Sequence, residues 1–119
     1  TRGERVSEYF VPPWQFDERL VSVEKYLAWN PQSVEFLAEK GLLLAALGRD
    51  EEALQTLEAA ISYKSNSGEL WGVKSALLYK LKRYNDALIA IDRAIQLLPN
   101  KAELKEIRQS ITKEMGNDK

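Results

Sequence analysis

The sequence predicts an all-α protein, a short helical solenoid of antiparallel helix pairs. Three observations carry this reading. First, the chain repeats itself at a period of about 34 residues. Glu35 pairs with Glu69, Lys40 with Lys74, Leu43 with Leu77, Leu44 with Leu78, Leu47 with Leu81 and Arg49 with Arg83. Ala53 then meets Ala87, Leu54 meets Leu88, Ala60 meets Ala94, Ile61 meets Ile95 and Asn66 meets Asn100. Second, each period divides into two segments whose apolar residues recur three and four apart, the spacing of one buried helix face. Third, the breaks fall at helix-stopping clusters: Gly48-Arg49-Asp50, Ser65-Asn66-Ser67-Gly68 and Pro99.

The elements follow in order. Phe16 through Leu20 and Tyr26-Leu27 to Asn30-Pro31 pattern as the second helix of a further, partial repeat. Pro12-Pro13 interrupts any helix before it. Arg19 and Tyr26 stand where later periods place alanine, which suits a helix whose close-crossing partner is absent or irregular. Val34 to Leu47 carries Leu37, Leu44 and Leu47 around Gly41; Gly48 suits its C-terminus and Asp50 a cap. Glu51 to Tyr63 carries Ala53, Leu54, Leu57, Ala60 and Ile61 on one face. The plan recurs as Leu70 to Leu81, a turn at Lys82-Arg83-Tyr84-Asn85, and Asp86 to Leu97, closed by Pro99.

Ala102 to Met115 is a lone helix with Leu104, Ile107, Ile111 and Met115 on one side. Lys105, Glu106, Gln109, Thr112 and Lys113 are polar, as befits a solvating cap. The Gly116–Lys119 tail is expected to fray. The organisation is thus an arm and partial repeat helix over 1–33, repeats over 34–67 and 68–101, and a capping helix with its tail over 102–119.

The second repeat supplies Trp71, Ser75, Leu78, Ala87, Ile91, Ala94 and Pro99, and the first Leu37, Gly41, Leu44, Ala53, Leu57 and Ala60, with Ser65 in place of the proline. On these residues the chain resembles the tetratricopeptide repeat family. The small residues have a physical reason, since two helices cross closely only where Cβ bulk is minimal. The resemblance implies a right-handed solenoid whose first helices line a concave face, used by the family mostly to hold peptides or partner helices.

Composition narrows the function. The chain has 119 residues, 17 Lys+Arg against 18 Asp+Glu for a net charge of -1, 45% hydrophobic residues, and no Cys or His. Disulfides, thiolate nucleophiles and thiolate metal sites are excluded, and the commonest general base and metal ligand is missing. Scattered basic residues argue against nucleic-acid binding. No apolar run is long enough to insert in a membrane, and no signal peptide is visible at the amino terminus. The expected protein is soluble, with the cytoplasm slightly favoured.

No catalytic residue, cofactor or metal ligand is assigned. Glu51-Glu52 and Asp17-Glu18 are adjacent carboxylates, but they sit at helix starts, where negative charge suits the macrodipole. Lys74 and Ser75 are neighbours on a helix and point apart. The glycines do not form a phosphate-loop spacing. Trp71 takes the repeat's core position. Trp29, at the end of the partial repeat, is expected to be half exposed. Tyr9 through Trp14 reads either as folding back over the first helix pair or as an aromatic, proline-stiffened segment that docks on another molecule or a neighbouring copy. Lys40 and Lys74 depart from the family's usual leucine. Each either reaches a carboxylate on the preceding second helix, Glu24 or Glu58, or snorkels without a partner.

The resemblance also places groove residues. Glu35, Ala38, Glu39, Leu42, Ala45 and Ala46 project onto the concave face, followed by Glu69, Gly72, Val73, Ala76, Tyr79 and Lys80, then Glu103, Glu106, Ile107 and Ser110. Family members that grip chaperone carboxylate tails use Lys, Asn and Arg at positions occupied here by Ala38, Leu42, Val73, Glu103 and Ile107, so that clamp is absent. The glutamates favour a basic or apolar protein or peptide partner, with Ala38, Gly72 and Ala76 leaving room for bulky side chains. The opposing reading is that they merely solvate first turns. The expected function is therefore a non-catalytic protein-interaction module. The alternative is a structural assembly or oligomerisation segment of a larger protein, with a homo-oligomer left open.

Overall fold

A 3-10 turn, Pro13–Gln15, leads into six helices: α1 (Phe16–Trp29), α2 (Val34–Ala46), α3 (Asp50–Tyr63), α4 (Gly68–Lys80), α5 (Tyr84–Leu97) and α6 (Ala102–Asn117). These belong to a computed structural model that describes residues 13–117, and no strand occurs among the described residues. The fold is an all-α helical repeat solenoid. Tyr9 to Pro12, the body of the aromatic arm, lie outside the described residues, as do Asp118 and Lys119.

Local chemistry sets the helix ends. Ser33 and Ser67 cap α2 and α4, their hydroxyls accepting from the Phe36 and Leu70 amides at 3.5 and 3.3 Å. The Ser67 cap starts α4 at Gly68, two residues before the apolar pattern begins. At the other end of α2, Gly48 N–H donates to Ala45 O and Arg49 N–H to Leu44 O, with Gly48 at φ 80°. One period later Lys82 and Arg83 make the same two bonds to Tyr79 and Leu78, with Lys82 at φ 63°. Both are Schellman turns. They pass the chain straight into the next helix, so Arg49 and Arg83 occupy the N-cap positions. Asp50, expected as a cap, is the first residue of α3, and α5 opens at Tyr84 instead of Asp86. Of the tail expected to fray, Gly116 and Asn117 continue α6, and the rest lies outside the described residues.

Small residues then let the helices pair. α2 packs on α3 and α4 on α5, while α1 lies against α2, α3 against α4 and α6 against α5. Ala53, Ala60, Ala87 and Ala94 are all 0% exposed at these crossings. Gly41 faces Leu57, and a Cβ added there would lie 2.9 Å from Leu57 Cγ. Ser75, the equivalent residue, is buried and donates its hydroxyl to Gly72 O at 2.8 Å. Two apolar clusters, one centred on α1 to α4 and the other on α4 to α6, share Trp71. Its indole N–H donates to Ser65 O at 2.8 Å, so the residue that replaces the family's proline anchors the core tryptophan.

The amino-terminal end closes differently. No α-helix precedes α1 among the described residues, and Arg19 and Tyr26 reach sideways over α2. The Tyr26 ring stacks on Phe36 at 4.0 Å between centroids, and Arg19 grips Glu39. Trp29 is not half exposed as expected but 86% exposed, and Trp14 is 75% exposed.

Candidate functional site

The 34-residue period brings the predicted site residues of α2, α4 and α6 into register. Glu35, Glu69 and Glu103 share one position in the first turns, where the helix dipole favours a carboxylate. All three are exposed, as is Glu106 one turn further along α6. None makes an ion pair with another described residue. Leu42 is 53% exposed and Ala76 is exposed at the equivalent position, with Ser110 completing that row.

Other expected members are occupied within the fold. Glu39 accepts from Arg19 Nε at 2.5 Å and from a second guanidinium nitrogen at 2.8 Å. That hydrogen bond keeps Arg19 more firmly protonated than usual, and it neutralises the Glu39 carboxylate. Lys80 Nζ lies 3.1 Å from Asp50 at the start of α3. Gly72 was expected to leave room for a bulky side chain. It is buried instead, and a Cβ there would come within 3.1 Å of Leu104 on α6. Val73 and Ala38 are partly buried against the first apolar cluster, as is Ala45. Ile107 packs on the second. Tyr79, also partly buried, sits 5.7 Å from the Tyr84 ring, and Ala46 is exposed.

What remains available is an acidic row at the first turns, an apolar to small strip through Leu42 and Ala76, and no unpaired cation on α2 or α4. Lys113 stands on α6 at the position of Ala45 and Tyr79. No group of three or more carboxylates among the described residues could hold a metal ion. None of the described helices is long and apolar enough to cross a membrane.

Residues 34–67 match the family model described as tetratricopeptide repeat. Over these residues the chain carries a tetratricopeptide repeat. Several solved structures share its fold. The chain is 23% identical to MamA with a TM-score of 0.81, over 85% of this chain and 59% of that one. It is 16% identical to the first TPR domain of human RPAP3, with a TM-score of 0.82, over 87% and 81% of the two chains. The first TPR of Spaghetti (RPAP3), solved with the HSP90 peptide SRMEEVD bound, is likewise 16% identical, with a TM-score of 0.82 over 86% and 81%. No curated protein matches the sequence significantly. The chain spans 59% of the length of the MamA chain, and these likenesses establish its fold.

Sequence reasoning missed Arg19 as the residue that silences Glu39. Its signal was present, an arginine where the repeat calls for alanine.

Proposed function

We propose that this chain is a non-catalytic protein-interaction module that holds a basic or apolar peptide or helix of a partner along the face formed by α2, α4 and α6. One observation carries the reading: each of these helices presents a first-turn glutamate, Glu35, Glu69 or Glu103, exposed and without an ion-pair partner among the described residues. Such a row attracts cations and repels carboxylate tails. The Spaghetti domain takes the acidic-tailed SRMEEVD peptide. With glutamates here and no basic residue at the clamp positions, this chain selects the opposite charge.

The carboxy-terminal end supports interaction over assembly. At the positions where α2 and α4 carry Leu37 and Trp71, Gly41 and Ser75, Leu44 and Leu78, all buried or half-buried, α6 carries Lys105, Gln109 and Thr112, all exposed. Those three positions offer another copy no apolar side chain on which to continue the stack.

Fluorescence polarisation of the whole chain against basic-amphipathic, apolar and acidic-tailed peptides, at low and moderate salt, tests the proposal. Basic-amphipathic peptides bind best and lose affinity as salt screens the carboxylates, and replacing Glu35, Glu69 and Glu103 by Gln weakens them. Preference for the SRMEEVD tail, or indifference to the triple replacement, overturns it.

A further inference from the structure

The junctions from each second helix to the next first helix share one edge of the solenoid, and that edge carries a periodic row of side chains that are exposed or half-buried. Trp29, Tyr63 and Leu97 occupy equivalent positions at the ends of α1, α3 and α5. Trp29 is 86% exposed and Tyr63 49%, while Leu97 is half-buried. A hollow of about 380 Å³ is lined by Tyr26, Trp29 and the Asn30–Ser33 turn. Two repeats along, a hollow of about 440 Å³ is lined by Leu97, Leu98, Pro99, Asn100, Lys101 and Glu103. The same shallow seat thus recurs, with a proline in its turn at Pro31 and at Pro99.

Six residues beyond each member of this row comes a first-turn glutamate: Glu35 after Trp29, Glu69 after Tyr63, Glu103 after Leu97. In the third seat both members line one hollow. The repeat places Trp29 with Glu35 and Tyr63 with Glu69 as Leu97 stands with Glu103, and an aromatic face near a carboxylate without an ion pair among the described residues is the complement of a guanidinium or ammonium group. Charge sets an order among the seats. The Asn30–Ser33 turn of the first carries no charge; Lys64 follows Tyr63 in the second; Lys101 offsets Glu103 in the third, where Leu97 replaces the aromatic ring.

The spacing sets the ligand's register. α4 and α6 touch, so successive first helices lie on the order of 10 Å apart. A chain in polyproline II conformation rises about 3.1 Å per residue with three residues per turn, so side chains three apart lie on one side and span about one repeat. We infer that this edge binds an extended segment of a partner protein with two basic side chains three residues apart and an apolar side chain a further three along. The cations sit at Trp29 with Glu35 and at Tyr63 with Glu69, and the apolar side chain at Leu97. The inference rests on the proposed selection of a basic partner, but it moves the contact from the helix face to the edge and fixes its register.

The test uses the full chain and a fluorescein-labelled Arg-Gly-Ser-Arg-Gly-Ser-Leu peptide, its reversed sequence, and versions with the arginines two and four residues apart. One direction of the three-residue spacing binds best, and each off-register peptide binds about 2- to 5-fold more weakly, the worth of one exposed cation–aromatic contact. Trp29→Ala produces a loss of the same order and Tyr63→Ala a smaller one. Both residues are exposed enough to be removed without unfolding, which circular dichroism checks. Equal binding at every spacing, or unchanged binding of both alanine variants alongside a loss in Leu42→Lys, overturns the edge while leaving the helix face standing. Failure of every cationic probe to bind overturns both.

Discussion

Arg108 Nε donates to Asp92 at 2.7 Å across sixteen residues of sequence, and this pair is the last rung of a ladder. One period earlier Lys74 Nζ lies 3.4 Å from Glu58, and one before that Lys40 lies 3.4 Å from Glu24. In each rung the cation sits on a first helix and reaches back to a carboxylate on the second helix before it. Such pairs tie successive repeats in register as the apolar stack does, but through water-accessible groups.

The rungs differ in what else the cation touches. Every carboxylate is about half exposed, so each pair contributes only about 0.2–1 kcal/mol. Lys74 also stands 5.1 Å from the Trp71 ring, whereas the equivalent residue beside Lys40 is Leu37. Lys74→Ala should therefore cost about 0.5–1 kcal/mol more than Lys40→Ala. Equal urea midpoints for the two variants would remove the aromatic contact from the account.

The two Schellman turns give a cleaner comparison. Gly48 and Lys82 both adopt left-handed backbone, φ 80° and 63°, in identical hydrogen-bond settings. The left-handed region costs a side-chain-bearing residue about 1–2 kcal/mol, part of which glycine returns through the entropy of the unfolded chain. Lys82→Gly should stabilise by about 0.5–1 kcal/mol, and Gly48→Ala should destabilise by about 1 kcal/mol. A Cβ at Gly48 meets nothing within 4 Å, so that loss is conformational. Denaturant unfolding in which both replacements shift the midpoint the same way would contradict the assignment.

At Gly41 the constraint is space. A methyl there would lie 2.9 Å from Leu57 Cγ and 3.1 Å from Leu57 Cδ2, yet Ser75 carries a Cβ at the same position one period on, opposite Ile91 in place of Leu57. The γ-branched leucine is what excludes it. Gly41→Ala should destabilise by about 1–2 kcal/mol, overpacking outweighing the helix propensity gained. Adding Leu57→Ile should recover part of the loss, and a double-mutant cycle with no coupling between the sites would show that Leu57 is not the obstacle.

What the sequence made legible follows from what residue types report. Apolar spacing and the alanines at 53, 60, 87 and 94 record where helices cross, so the pairs and their order could be read directly. The first two rungs of the ladder were visible as paired lysines, but the third was hidden because Arg108 and Asp92 replace Lys and Glu. The fate of Gly72 depends on Leu104 of a helix docked by stacking, and that of Glu39 on Arg19 reaching over from the preceding helix. Neither is local. A left-handed lysine at position 82 carries no signal in its own identity.

Acid should reach one ion-paired carboxylate late. Arg49 donates to both carboxylate oxygens of Glu52, at 2.9 and 2.8 Å, and this hydrogen bonding holds the Glu52 carboxyl below the usual glutamate value. A group whose folded pKa is depressed favours the fold above its unfolded pKa, and that contribution fades as pH falls through the folded value. Carbon-detected NMR titration of the glutamate carboxyls should find Glu52 among the last to protonate. Arg49→Gln should return it to the ordinary range, and a Glu52 titration that ignores Arg49 would refute the pairing.

The end of the stack offers the sharpest contrast between equivalent positions. Tyr26, Ala60 and Ala94 share one place in the repeat, but the alanines are 0% exposed under a crossing helix, whereas Tyr26 is 43% exposed and lies across Phe36. The same bulk should thus be tolerated at one site and rejected at the others. Ala60→Leu or Ala94→Leu should cost about 1–3 kcal/mol by forcing the helices apart. Each kilocalorie lowers the melting temperature by about 4–8 °C in a domain near this size. Tyr26→Ala removes only a stacked ring at the surface, about 0.5–1.5 kcal/mol, and Tyr26→Leu should fall below that. Calorimetric melts that rank Tyr26→Leu as more damaging than Ala60→Leu would mean that a helix covers Tyr26 as one covers Ala60, and the amino-terminal end would then be a closed repeat.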